Sequence, residues 1–218
     1  MANPDSFIQE VDDELKRDKL FAFIRKYGWI AVTAVVVLVG ATAFNEWRKA
    51  QATAAAQAFG DAVITALDSE DPAERATALA AVQADGERAG ILRLLQAATS
   101  QDAGDVPAAL EALAAVENDS TLPTSYRQIA ALKRVILGGA TIPAEERDTV
   151  LRGLATPGQA FRPLALEQLV LLKMEQGEIG AALAQAQAIL QEPDLTDALR
   201  ERIQQTIILL GGAPLQQG

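Results

Sequence analysis

The residues that could do chemistry in this chain are carboxylates and a few hydroxyls. Asp12-Asp13-Glu14 and Glu145-Glu146 with Asp148 form carboxylate clusters of the kind that can gather around a divalent cation. Neither cluster carries the loop glycine or alternating spacing of such a site. Each falls at or near an expected helix start, where carboxylates favour the helix dipole and satisfy free N–H groups. Capping is therefore their expected role. The chain has no histidine and no cysteine, which removes the commonest general base, the commonest metal ligands, thiolate chemistry and disulfides. Beyond residue 49 the serines are Ser69, Ser100, Ser120 and Ser125, none in a G-x-S-x-G elbow, and no G-x-x-x-x-G-K phosphate loop exists. The expectation is no enzyme: no catalytic residue, no cofactor, no metal and no small-molecule substrate.

What remains is the chemistry of surfaces, and the run Tyr27 to Trp47 dominates it. From Tyr27 to Asn45 nineteen residues pass without a charge. As a helix they would cover about 28 Å, close to the hydrocarbon core of a bilayer. Val32, Val35, Val36, Val37, Leu38 and Val39 put apolar groups on every face. Tyr27 and Trp29 before the run, with Phe44 and Trp47 after it, are the amphipathic aromatics that favour the headgroup level. The run reads as a membrane span.

Its flanks set the orientation. Lys16, Arg17, Lys19, Arg25 and Lys26 precede it, whereas only Arg48 and Lys49 follow before Arg75. Positive-inside bias leaves the N-terminus in the cytoplasm and places the rest of the chain across the membrane. Ala41-Thr42-Ala43 resembles a signal-peptidase site, but the leading region contains Asp12, Asp13, Glu14 and Asp18, unlike the short basic start of a signal peptide. An uncleaved anchor is the expectation. Residues 4–26 read as a cytoplasmic helix that Asp5 or Ser6 can cap.

The remaining chain is long enough for one domain with its own core. Its apolar surface is supplied by alanine and leucine, and only Phe59, Tyr126 and Phe161 are aromatic beyond the span. Small residues let helix axes approach closely, so the class is all-α. Residues 50–218 hold 12 basic and 22 acidic residues and carry the whole net charge of −10. Such a surface repels nucleic acid and anionic lipid. Helices are expected at about 72–84, 88–100, 104–118, 123–138, 143–154, 158–176, 178–191 and 194–211, with glycines between them and no strand.

An internal echo gives the architecture. Gly104-Asp105-Val106-Pro107-Ala108-Ala109-Leu110, then Leu113 and Val116, matches Gly177-Glu178-Ile179-Gly180-Ala181-Ala182-Leu183, then Ala186 and Ile189. This is how the second helix of a tetratricopeptide-like pair begins. Glycine permits the tight turn, and Ala109 and Ala182 leave room for the neighbouring helix. The later apolar residues fill the groove between repeats. The spacing of 73 residues is near two periods of about 34. A degenerate unit over 123–154, without the glycine start, lies between them, and the helix after Asp194 closes the array. The organisation is then a cytoplasmic helix over 1–26, an anchor over 27–47, a tetratricopeptide-like α-solenoid of antiparallel helix pairs over 48–211, and a flexible tail over 212–218.

The N-terminal FIQEVDDELKRDKL, KYGW at Lys26–Trp29, the exit Trp47-Arg48, the alanine-rich helix Ala54–Phe59 and GEIGAAL at 177–183 together resemble the YfgM-like family. Its members are ancillary subunits of the SecYEG translocon. The resemblance covers most of the chain in layout, and its specific motif is the N-terminal forty-odd residues. It implies a bacterial inner-membrane protein with a single span and a periplasmic repeat domain that contacts translocon subunits and periplasmic chaperones. The chain lacks the large aromatic knobs of a regular tetratricopeptide array, so no peptide-groove residues carry over. Two functions remain open: an accessory holding chaperones or emerging chains beside the translocon, or a structural subunit of another membrane complex, respiratory or cell-division. A self-associating scaffold through Gly40, Ala41 and Ala43 is the third reading.

Overall fold

A computed structural model describes the backbone of residues 4–193 and 195–212, and side chains over the same range apart from 4–24, 27, 28 and 31. Among the described residues the regular structure is all helical, with no strand. Contacts divide the chain into two compact units, Met1–Ala58 and Phe59–Gly218.

The first helix, α1, covers Pro4–Leu67 and contributes residues up to Ala58 to the first unit. Every described side chain from Val32 to Ala58 is exposed, including Val35, Val36, Val37, Leu38 and Val39. Phe44 and Trp47 lie one turn apart, with ring centroids 5.9 Å from each other. Trp29, Phe44 and Trp47 are 66%, 57% and 58% exposed, so the described aromatic side chains at the ends of the run are not buried. Among the described residues, no helix is long and apolar enough to cross a membrane. The expected span includes Tyr27, and within it Gly28 and Ala31, and the side chains of all three lie outside the described set. Lys16, Arg17 and Lys19 lie outside it too, while Arg25 and Lys26 are exposed.

The second unit is a succession of short helices: α2 (Pro72–Ala81), α3 (Glu87–Asp102), α4 (Val106–Glu117), α5 (Thr124–Gly138), α6 (Ala144–Leu154), α7 (Arg162–Glu175), α8 (Ile179–Ile189) and α9 (Asp197–Leu209). Each packs on the next, and α3 also touches α5. Nearest-neighbour packing of this kind is the mark of stacked helix pairs. The core follows the stacking. Val63 and Ala66 of α1 meet Leu79 and Leu92. Ala97, Leu113, Val116, Leu122 and Ala130 form the next layer. Leu132, Val135, Leu151, Leu169 and Leu172 lie in the third, and Val170, Ile189, Ile203 and Ile207 in the last.

Local chemistry sets the helix ends. Asp71 accepts a hydrogen bond from the Ala73 amide at 2.9 Å and Pro72 opens α2. Asp105 accepts from Ala108 at 3.0 Å, and Thr196 from Leu199 at 3.3 Å. Three helices differ from the sequence expectation by three residues or more at one end, among them the helix expected from 194, which begins at Asp197 behind the Thr196 cap. The helix expected from 158 begins at Arg162, because Pro163 suits only a first turn and Gly158 has a φ of +84°. The helix expected to reach 84 stops at Ala81, where Val82 turns extended.

Candidate functional site

The two sequence echoes fold into matching turns. Gly104 and Gly177 both have a φ of +79°, a left-handed conformation that costs a side-chain-bearing residue about 1–2 kcal/mol. Asp105 donates its amide to the Ser100 carbonyl at 2.8 Å, and Glu178 does the same to Lys173 at 2.9 Å. Gly104 donates to Gln101 and Gly177 to Met174, both at 3.0 Å. These bonds satisfy the last carbonyls of α3 and α7. Beyond each turn, Ala109, Leu113 and Val116 of α4 and Ala182, Ala186 and Ile189 of α8 are buried against the first helix of their own pair and the next pair.

The middle pair solves the same problem with other residues. Its turn runs through a 3₁₀ segment, Gly139–Thr141, with Gly139 at a φ of +46°. The Ile142 side chain fills the space that a methyl group on Gly138 would need. In α6 the buried positions are Arg147, Leu151 and Leu154, at the same distances from the helix start as Ala109, Leu113 and Val116 in α4. Arginine thus occupies the small-residue slot. Its Nε donates to the Ile142 carbonyl at 3.0 Å, and its two Nη atoms donate to Glu175 of α7 at 2.6 and 2.7 Å. Those hydrogen bonds hold the Glu175 carboxyl below the usual carboxylate range and push Arg147 above its usual value.

Three further arginines tie helices together. Arg134 of α5 binds Glu117 of α4 at 2.5 Å and Glu146 of α6 at 2.8 Å. Glu146, one of the clustered carboxylates, is therefore in an ion pair, and Asp148 pairs with Arg152 at 2.6 Å. Arg162 at the start of α7 binds Glu192 after α8 at 3.0 and 2.6 Å and also reaches the Ala155 carbonyl. Hydrogen bonds from Arg162 lower the Glu192 carboxyl. Arg202 of α9 grips Glu167 of α7 at 2.8 and 2.9 Å. The sequence reading missed these pairs. Their partners lie 28 to 35 residues apart in most cases, a separation at which charge pairs carry no local signal.

The surface feature of this unit is a groove across α5, α7 and α9, enclosing a cavity of about 740 Å³. Its apolar wall is Ile136 of α5, Leu164 and Leu171 of α7, and Leu209 of α9. Each is exposed, from 36% at Leu164 to 76% at Leu209. Gln168, Gln205 and Thr206 add uncharged polar groups, and the charges in the lining are Glu167 and Arg202, already closed on each other. A smaller cavity of about 170 Å³ continues past Gln168 and Leu171 to Arg147 and Glu175. Core periodicity hid the groove: Leu166, Leu169 and Leu172 belong to the buried layers, and Leu164 and Leu171 stand seven residues apart on a second stripe.

The model of a family described as tetratricopeptide repeat-like domain matches residues 22–167. No curated protein and no solved structure shows a significant match to the chain.

Proposed function

The chain belongs to the tetratricopeptide repeat-like domain family, and from that premise we propose that it is a membrane-anchored protein-interaction module. The observation that carries the interaction role is the groove on α5, α7 and α9: a row of aliphatic side chains on the first helices of successive pairs, exposed among the described residues of its unit. The anchor rests on the uncharged run Tyr27–Asn45, its aromatic ends at Trp29, Phe44 and Trp47, and the exposure of Val35 and Leu38. The basic flank with Lys16, Arg17, Lys19, Arg25 and Lys26 supports a cytoplasmic N-terminus with the repeat unit across the membrane, and the resemblance to the YfgM-like family makes that side the periplasm in this reading.

On the resemblance to the YfgM-like family, the assembly served is the Sec translocon, with periplasmic chaperones or emerging chains as the molecules held. A permanent subunit of another inner-membrane complex is the alternative, and the two differ in how partners are kept. Crosslinking in the cell, followed by mild detergent extraction and mass spectrometry, separates them. Crosslink-dependent, sub-stoichiometric recovery of translocon subunits and folding factors is the expected result. Recovery of one complex at fixed stoichiometry without crosslinker overturns the accessory role in favour of the structural one. Protease added to spheroplasts tests the topology: it should degrade the Ala50–Gly218 segment and spare an N-terminal tag, and a protected repeat unit overturns the anchor's orientation.

A further inference from the structure

The turn from α2 into α3 holds the chain's one Asp-Gly step, Asp85-Gly86, and no Asn-Gly step occurs. Its local structure follows from the end of α2. Val82 turns extended, with a φ of −72° and a ψ of 133°, and the backbone stays irregular as far as Asp85. Val82 and Ala84 pack against the layer of Leu79 and Leu92, while Asp85 and Gly86 are exposed. Gly86 takes a φ of +58° and a ψ of −135°, a conformation that a residue without Cβ reaches readily. No side chain caps α3 there, and a Cβ built on Gly86 would meet no atom within 4 Å. Among the described residues the Gly86 amide donates to no acceptor and the Asp85 carboxyl accepts from no donor. A free carboxyl is thus followed by a free amide, with no side chain crowding the nitrogen. The other described aspartates are held back. Asp71 precedes Pro72, which has no N–H. Asp105 is bound to the Ala108 amide at 3.0 Å, and Asp119 to Thr121 at 3.0 and 2.6 Å. Asp61, Asp102 and Asp148 lie in α1, α3 and α6, where the next amide is bonded to a carbonyl of the same helix. Asp68 and Asp197 are exposed, but Ser69 and Ala198 carry a Cβ beside the nitrogen.

We infer that Asp85-Gly86 is a modification site, at which the backbone rearranges to isoaspartate through a succinimide. The Gly86 nitrogen attacks Cγ of Asp85. An N–Cγ bond forms, the Cγ–O bond breaks, and the amide proton leaves with the carboxylic hydroxyl as water. Water then reopens the ring. Attack at Cγ restores aspartate. Attack at the main-chain carbonyl of Asp85 breaks its bond to the Gly86 nitrogen, so that the chain runs on through Cβ and Cγ and a carboxylate stays on Cα. No oxidation state changes, and water is the one co-reactant. The rearranged chain has an added methylene between Ala84, which is packed on the first core layer, and the start of α3. The contact between α2 and α3 is loosened as a result.

The test keeps the full chain in warm buffer with a nonionic detergent and digests samples with trypsin over time. The tryptic peptide Ala76–Arg88 contains Asp85 as its one aspartate. A second form of that peptide should accumulate, equal in mass but separate in chromatography. It should accept a methyl group from S-adenosylmethionine through an isoaspartyl methyltransferase, and a transient form lighter by one water should precede it. Asp85→Glu, at an exposed position, should keep the helical circular dichroism and lose the second form, because the ring that glutamate would close is larger and slower to form. Gly86→Ala should lose most of it as well. Hydrogen exchange of the aged chain should rise in α2 and α3. Absence of the second form from the folded chain overturns the inference. Its appearance only after unfolding in guanidinium overturns it too, since the fold would then protect the step. Equal accumulation in the peptides that carry Asp68 or Asp197 overturns the assignment to this turn. Persistence of the second form in Asp85→Glu overturns the succinimide route, and unchanged exchange in the aged chain overturns the loosening.

Discussion

The outer helix pairs, α3–α4 and α7–α8, and the middle pair, α5–α6, place their second helices in the same register by opposite means. The outer pairs use a left-handed glycine and a small residue, so backbones approach and the contact is apolar. The middle pair uses a longer turn and puts Arg147 where the outer pairs put Ala109 and Ala182. A guanidinium can be buried there because Glu175 and the Ile142 carbonyl take up its hydrogen bonds. A repeat slot is thus defined by volume and satisfied polarity together, and a large charged residue fills it when the next repeat supplies the counter-charge.

The comparison breaks most sharply if the slots are made alike. Ala109→Arg and Ala182→Arg would bury a cation with no partner in place, and should cost about 3–5 kcal/mol or prevent folding, read as loss of the thermal transition in circular dichroism. Retention of a wild-type transition would mean that the slot is open to water. Glu175→Gln should lower the melting temperature clearly but less, because that carboxylate is partly exposed. The paired change Arg147→Met with Glu175→Leu should recover most of the loss, since an apolar pair can replace a buried ion pair at little cost. If the double variant melts as low as the single one, the middle pair depends on charge in itself.

The turns give smaller effects. Gly104→Ala and Gly177→Ala meet no atom within 4 Å, so only the backbone conformation is strained. Each should cost about 1–2 kcal/mol, and the two should agree closely because their φ angles are the same. Unequal losses would show that the two turns differ in the unfolded chain or in neighbouring contacts. The smallest effect comes from acid. Glu175 and Glu192 are held below the ordinary carboxylate range, so their contribution is present above the unfolded value of about 4.3 and disappears as pH falls through the lower folded values. Hydrogen exchange below pH 4 should therefore rise in α6–α8, and Arg147→Met with Glu175→Leu should reduce that rise around α6.

The Gly104 and Gly177 units were legible because turn, small residue and apolar positions all lie within a dozen residues, and local spacing carries that signal. Arg147 was equally close to its helix start, yet a basic residue in an amphipathic pattern reads as solvated unless its counter-ion is known. Glu175 stands 28 residues away. The groove escaped for a related reason. Ile136, Leu164 and Leu209 come from three helices, and each alone is an ordinary surface aliphatic.

Composition and period by themselves determined the all-α class, the succession of short helices, the two matching turns and the apolar run near the N-terminus. These depend on residues close in the chain, through backbone conformation, capping and hydrophobic spacing. Stacking alone decided which arginine meets which carboxylate, that a cation can sit in an alanine's place, and that three helices share one uncharged groove. Pairings of that kind depend on distances between elements, which no local pattern encodes.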